Sequence, residues 1–447
     1  MKAALNLFKI QDVRRKILVT LGLLFVYRIG HQVPLPGVNI EAVKAFVEHQ
    51  GGGGLGFAFG IMNALSGAAI GECTLFTLGV MPYISASIIL SLLTKVIPQL
   101  EQLSKEGMAG HKKINQYTRY LTVPLCVIQG MFVINGLLAQ GVDQMEIIDR
   151  DLFGSFAYRL LIMLAFTAGT LFIMWLGEQI SEHGIGNGVS MIIMAGIIAR
   201  MPSDFAFLMD YLEKSERAQT VFTFAVLFIL VVGFVVFITK GQRRIPVQQA
   251  KLTRGRRIVG GARHYLPLRV NQAGVMPIIF ASALFIIPPF LERVPFLKPI
   301  SDALGWGRFW YVLLYVVLIY FFSFFWTALM FQPTELANNL KEYGGFVPGL
   351  RPGKRTADYL ESVMVRVTLA GATFLALISV LPQMISSNIG DIPPMLATFL
   401  GGTSILIVVS VALDLVDKLN AHLVMRNYDG FMTTGGATTS WARGRKR

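Results

Sequence analysis

Charged residues are scarce in this chain: they make up 15% of 447 residues, against 54% hydrophobic. So little charge excludes an ordinary water-soluble multi-domain protein, which carries about 25% charged residues. Cysteine is scarcer still, with only Cys73 and Cys126, and this excludes a disulfide scaffold. The six histidines are scattered without metal-ligand spacing, so no metal or other cofactor is expected. No P-loop, nucleophile elbow or HExxH pattern occurs. The run Gly184-Ile185-Gly186-Asn187-Gly188 has no Lys-Ser/Thr pair after it and reads as a tight lead into a helix rather than a phosphate loop. The chain has no candidate catalytic group, and energy for any work must come from a partner or a gradient.

What is present is apolar sequence in long runs. With roughly 20 apolar residues needed to cross a bilayer as a helix, ten spans are expected, at 16–33, 74–97, 118–139, 156–176, 185–201, 219–239, 272–290, 309–331, 362–385 and 396–416. The first apolar run contains Arg28 and has no small-residue cleavage site, so it reads as a signal-anchor span. With both termini cytoplasmic, 30 of the 40 Lys and Arg residues fall in the N-tail, the 2/3, 6/7 and 8/9 loops and the C-tail, all on the cytoplasmic side. Ionisable residues in the spans (Arg28, Lys95, Arg119, Arg159, Glu178, Arg200, Arg366, Asp414) lie toward span ends, where snorkelling accounts for them. An ion-coupled carrier usually keeps such groups near the midplane.

Two stretches 195 residues apart are nearly the same nonapeptide. Gly79-Val80-Met81-Pro82-Tyr83-Ile84-Ser85-Ala86-Ser87 and Gly274-Val275-Met276-Pro277-Ile278-Ile279-Phe280-Ala281-Ser282 agree at seven positions. Each proline falls within an apolar run, where it is expected to remove a helix hydrogen bond. Each copy lies in the second span of a set of five, and an odd offset makes the copies cross the membrane in opposite directions, as in inverted-repeat channels and transporters. The expected units are 1–201 (spans 1–5), an external connection at 202–218, 219–416 (spans 6–10) and a cytoplasmic tail at 417–447. Val80 and Ile84 share a helix face, and Ile279 takes the place of Ile84. A ring of such aliphatics gates by dewetting.

Between spans 1 and 2, Gly51 to Gly54 precede the apolar, glycine-rich stretch 55–70, too short to span. Composition leaves open whether it is re-entrant or an external loop helix. The 6/7 loop, 240–269, holds nine basic residues in thirty. That exceeds what topology needs and points to a polyanionic surface, anionic lipid or nucleic acid. The 8/9 loop, 341–358, adds basic residues around a Gly/Pro-rich, shaped segment.

Five separated motifs resemble the SecY family: Met81-Pro82-Tyr83-Ile84-Ser85-Ala86-Ser87-Ile88; Trp175-Leu176-Gly177-Glu178-Gln179-Ile180 with Gly184 to Gly188; Gly241-Gln242-Arg243-Arg244-Ile245; Phe346-Val347-Pro348-Gly349-Leu350-Arg351-Pro352-Gly353; and Gly401-Gly402-Thr403-Ser404. The resemblance runs over essentially the whole chain. It implies an all-α polytopic membrane protein, ten transmembrane helices in two inverted pseudo-symmetric halves of five around a central pore. It further implies a channel of the bacterial cytoplasmic membrane that passes unfolded polypeptides and releases apolar segments sideways into lipid. Its constriction would be Val80, Ile84, Val189, Ile193, Ile279 and Ile407, and its plug the segment 57–70 with Phe59, Ile61, Met62, Asn63, Leu65, Ser66 and Gly67. A side gate between spans 2/3 and 7/8 would carry Ser85, Gln129 and Asn271. Partners implied are SecE and SecG, the SecA motor and the ribosome, with Arg243, Arg244, Arg256, Arg257 and Arg351 as contacts. Gln332-Pro333, where Asn-Pro is common, and the Gly51 to Gly54 run depart from the pattern. The repeat alone fits a small-solute secondary transporter equally well; the aliphatic ring and missing midplane charge favour a polypeptide.

Overall fold

The computed structural model describes residues 11–39, 41–43, 73–135, 148, 154–211, 217–249, 252–254, 257–259, 263–284, 299, 304, 308–388 and 402–435. Its helices are α1 (Gln11–Gly30), α2 (Met81–Val96), α3 (Pro98–Lys105), α4 (Met108–Val133), α5 (Phe156–His183), α6 (Gly188–Tyr211), α7 (Arg217–Lys240), α8 (Met276–Leu284), α9 (Phe309–Met330), α10 (Pro333–Glu342), α11 (Lys354–Asn388) and α12 (Gly402–Gly435). The described residues are mostly helical, and their outer surface is the reverse of a soluble protein's. Leu164 is 62% exposed and Phe237 74%, while threonines and serines such as Thr122 and Ser404 are buried. Such apolar surface is stable only against lipid or a partner.

Three described helices are long and apolar enough to cross a membrane, Phe156–His183, Phe309–Glu342 and Lys354–Val380. A fourth span results if Met81–Val96 and Pro98–Lys105, bent by 100°, count as one. The other expected spans do not reach this standard among the described residues, for local reasons. Helix α1 carries Arg14, Arg15, Lys16 and Arg28, α8 has nine described residues, and the apolar parts of α6 and α7 are the shorter Gly188–Ser203 and Phe228–Lys240.

Helix packing follows a pattern that occurs twice. Helix α2 packs on α4, α4 on α5, α5 on α6 and α1, and α1 on α6. Likewise α8 packs on α9, α9 on α11, α11 on α12 and α7, and α7 on α12. The two sets meet where α6 packs on α12. The main apolar cluster lies at that meeting and draws Val80 from just before α2, Ile84 from α2, Ile193 from α6, Ile278 from α8, Ile319 from α9 and Ile407 from α12.

The twin prolines do not break a helix. Pro82 and Pro277 are the second residues of α2 and α8, where a first-turn N–H has no intrahelical partner to lose. What ends the upstream chain is the glycine: Gly79 has φ +54 and Gly274 φ +64, a left-handed conformation that other residues enter at a cost. Before Gly79 the apolar run is turn rather than helix, with Gly79 N–H donating to Phe76 O at 2.8 Å and Thr77 Oγ1 to Thr74 O at 2.6 Å. Both helices then begin alike, Ile84 N–H donating to Val80 O (3.0 Å) and Ile279 N–H to Val275 O (3.3 Å).

The chain is not all-α. The 6/7 loop contains β1 (Gln242–Gln249), β2 (Leu252–Arg254), β3 (Arg257–Val259) and β4 (Arg263–Arg269), and the 8/9 loop contains β5 (Gly345–Phe346). Strand β1 pairs antiparallel with β4, from Gln242 opposite Arg269 to Gln248 opposite Arg263, and with β5 through Gln248 opposite Phe346. Strands β2 and β3 pair with each other. Ile245 and Val247 turn inward from β1 while Arg244 and Pro246 face out, the alternation of a half-buried strand. Ile245, Leu268, Val347, Leu360 and Met364 form a small core that seats the sheet on α11.

Candidate constriction and side seam

Helices α2, α6, α8 and α12 line a half-open cavity of about 350 Å³. Ile84, Ile193, Ile279 and Ile407, one from each helix, line it. Four of the six expected constriction residues are therefore brought to one space. Val80 and Val189 are not on its wall: Val80 is 1% exposed inside the adjoining core, and Val189 packs partly buried beside Gly177. Met81, Val275 and Met276 line it instead. Each methionine is three residues before its isoleucine, hence on the same helix face. The repetition of Met at the third position of both nonapeptides is the signal that marks them. Polar groups lie around the same cavity: Asn187, Ser190, Ser410 and the ion pair of Asp414 with Lys418.

Asn187 also organises the start of α6. Its side-chain Oδ1 accepts from Ser190 N–H at 3.3 Å, and Ser181 Oγ accepts from Gly188 N–H at 2.8 Å. A Cβ on Gly188 would run into the carbonyl of Gly177, so the glycines let α6 approach α5. The run 184–188 is thus a helix lead-in, as its sequence context indicates.

Helices α2 and α8 share the cavity wall, and each packs on the helix that follows it, α4 and α9 respectively. Phe280 of α8 stacks on Phe322 of α9 (centroids 5.1 Å apart) and meets Trp326 (5.6 Å), and Ser282 shares a 3.0 Å hydrogen bond with Tyr315. None of these helix packings joins α2 or α4 to α8 or α9. Ser85 is half-buried on α2, Gln129 is half-buried on α4 with its Oε1 buried and unpartnered, and Asn271 lies in the bend before α8 with its Cα beside Gly371 of α11. Among the described residues no hydrogen bond joins the three.

Where the chain bends beyond α2 and α9, polar groups meet. With the Gln332 amide oriented by its neighbours, its nitrogen donates to both Glu335 carboxylate oxygens at 2.6 Å and its oxygen accepts from Lys95 Nζ at 3.1 Å. On α3 beside them, Lys105 lies 2.8 Å from Glu101 and holds that carboxyl below its ordinary range, mainly through this hydrogen bond.

Arg243 and Arg244 are exposed on β1, and Arg351 is exposed where its carbonyl accepts from Thr356 Oγ1 at 2.9 Å. Arg257 lies in β3. Arg256 and the segment 57–70, with Phe59, Ile61, Met62, Asn63, Leu65, Ser66 and Gly67, lie outside the described residues. Cys73 and Cys126 are buried, and no group of three His, Cys, Asp or Glu able to hold a metal occurs among the described residues.

An aliphatic constriction among helices with lipid-ready outer faces is the anatomy of a membrane channel. Solved structures share the fold: "The structure of a protein conducting channel" aligns with TM-score 0.59 at 17% identity over 95% of each chain. "Sec61 in the Canine ribosome-channel complex from the endoplasmic reticulum" aligns with TM-score 0.55 at 16% identity over 95% of each chain. The SecY family model matches residues 74–416. Protein translocase subunit SecY of Mycobacterium bovis is 42% identical over 97% of this chain and all of its own length. The subunit of the same name from Streptomyces coelicolor is 43% identical over 95% of this chain and 98% of its own. The chain belongs to the SecY family, whose members are channel subunits and not enzymes.

Proposed function

We propose that this protein is the polypeptide-conducting subunit of a translocase in the bacterial cytoplasmic membrane, passing unfolded secretory chains through the cavity among α2, α6, α8 and α12. The observation that carries the reading is the convergence of Ile84, Ile193, Ile279 and Ile407 on one apolar space. Four aliphatics from four helices close a gap by dewetting, yet part without breaking hydrogen bonds, so the ring seals against ions and yields to a polypeptide. Val80 and Val189 support it from behind.

The reading has ten spans in two inverted halves, both termini cytoplasmic, and the repeated packing order of the two helix sets supports it. The segment 57–70 serves as an external plug. Ser85, Gln129 and Asn271 belong to a side gate between α2/α4 and α8/α9 through which apolar segments leave for lipid; the absence of extensive packing between these helix pairs among the described residues and the unpartnered Gln129 Oε1 support this. Lys95, Gln332 and Glu335 hold the cytoplasmic end of that gate shut. The basic surface of Arg243, Arg244, Arg256, Arg257 and Arg351 receives the ribosome or the SecA motor, since ribosomal surface is largely phosphate. SecE and SecG complete the complex.

A photo-crosslinker placed at Ile84 or Ile279, with a secretory chain stalled on ribosomes, should give adducts at both positions. Adducts confined to lipid-facing controls such as Leu164 would sink the proposal.

A further inference from the structure

Of the described side chains lining the cavity, two carry charge, Asp414 and Lys418, and both come from α12. Together with Ile407 and Val411, which also line it, they are spaced by four, three and four residues, one face of an α-helix. At 1.5 Å per residue, Asp414 stands about 10 Å and Lys418 about 16 Å further along α12 than Ile407. The stripe thus passes from aliphatic to charged toward the C-terminal end of α12, the cytoplasmic mouth in the reading above.

Lys418 Nζ lies 2.8 Å from Asp414 Oδ2, and the two side chains are 42% and 50% exposed. A pair this exposed holds little of the fold together. Both partners belong to one helix, so the pair joins no second element either. Its effect is cancellation: among the described lining residues the wall offers both signs and no net charge to whatever occupies the mouth. The other polar lining groups, Asn187, Ser190 and Ser410, are neutral.

We propose that Asp414 and Lys418 determine the charge selectivity of the channel, each compensating the other so that acidic and basic stretches of polypeptide enter alike. The proposal rests on the channel reading and goes beyond it by naming what the entrance discriminates. Removing Lys418 leaves an unopposed carboxylate facing the cargo, and removing Asp414 leaves an unopposed ammonium. A unit charge acting on another at about 10 Å, at an effective dielectric near 20, alters a rate by up to roughly tenfold before salt screening.

The test uses the assembled translocase in liposomes and two cargoes identical except for three aspartates or three lysines at one place in the mature region. The quantity read is the acidic-to-basic ratio of transport rates. Lys418→Gln should lower that ratio about threefold to tenfold and Asp414→Asn should raise it by as much, both effects shrinking in about 0.5 M salt. Lys418→Arg and the double variant D414N/K418Q should match the wild type. A ratio unmoved by either single variant, or moved the same way by both, overturns the proposal, as does equal slowing of both cargoes. A wild-type protein that passes neither cargo overturns the channel reading and the selectivity with it; one that passes both while the ratio stays fixed removes the selectivity alone.

Discussion

At the start of α2, and again at the start of α8, a left-handed glycine precedes Val-Met-Pro, the helix begins at Met, and Met and Ile three residues apart face the cavity. The fifth and seventh positions differ. Tyr83 and Ser85 leave α2 a polar flank, with Tyr83 in electrostatic reach of the Arg119–Glu178 pair. Ile278 is fully buried, and Phe280 is locked in an aromatic stack with Phe322 and Trp326. The ninth residue is serine in both, with different partners. Ser282 bonds across to Tyr315 of α9, while the carbonyl of Ser87 accepts from Ser91 within α2. The repeat has kept the backbone and the cavity face and diverged on the outer face. Among the described residues, helix α8 is fastened to α9 by polar and aromatic contacts that are not seen at the matched positions of α2, although α2 itself packs closely on α4.

Four measurements can break or sharpen that comparison. The largest effect is expected at the ring: Ile84→Ser and Ile279→Ser should each raise ion leak through reconstituted channels by roughly tenfold, because a hydroxyl lets water wet the gap. Equal leaks support equivalent walls, whereas a leak from one variant alone breaks the equivalence. Next come the glycines. Gly79→Ala and Gly274→Ala should each destabilise by about 1–2 kcal/mol in detergent unfolding, the penalty of a left-handed backbone. At Gly274 a Cβ meets nothing within 4 Å, so the cost there is purely conformational. Tyr315→Phe should cost about 1 kcal/mol by stranding the buried Ser282 hydroxyl, with Ser87→Ala near zero. Comparable losses at the two sites would erase the difference between the outer faces. The smallest effect is Arg119→Gln. It removes a bidentate contact to Glu178 at 2.9 and 2.8 Å, but the side chains are 48% and 23% exposed, and about 0.5–1 kcal/mol that fades with added salt is expected.

The repeated helix starts were legible because identity at seven of nine positions survives in the sequence. The role of the prolines was not, since hydropathy continues upstream through Leu75, Phe76 and Leu78 and carries no sign of the positive φ at Gly79 that makes those residues a turn. Of the isoleucines that line the cavity, Ile84 and Ile279 are legible from the repeat, and Ile193 and Ile407 only through the resemblance; Met81 and Met276 escape notice because a methionine in a membrane helix is ordinary, and only its recurrence is informative. The 6/7 loop was read by its arginines, and their number hid the alternation of Ile245 and Val247 that announces a strand. Its third strand could not have been anticipated locally, because β5 lies almost a hundred residues further on.

That third strand has a mechanical consequence. Because β1 pairs with β4 on one edge and β5 on the other, the loop between α7 and α8 and the loop between α9 and α11 are not two separate arms. Any load applied to one is shared through the ladder by the other, and Ile245, Leu268 and Val347 rivet both to Leu360 and Met364 of α11. A body that pushes on either loop therefore leans on a single stiff handle, whose root is the longest described helix in the molecule.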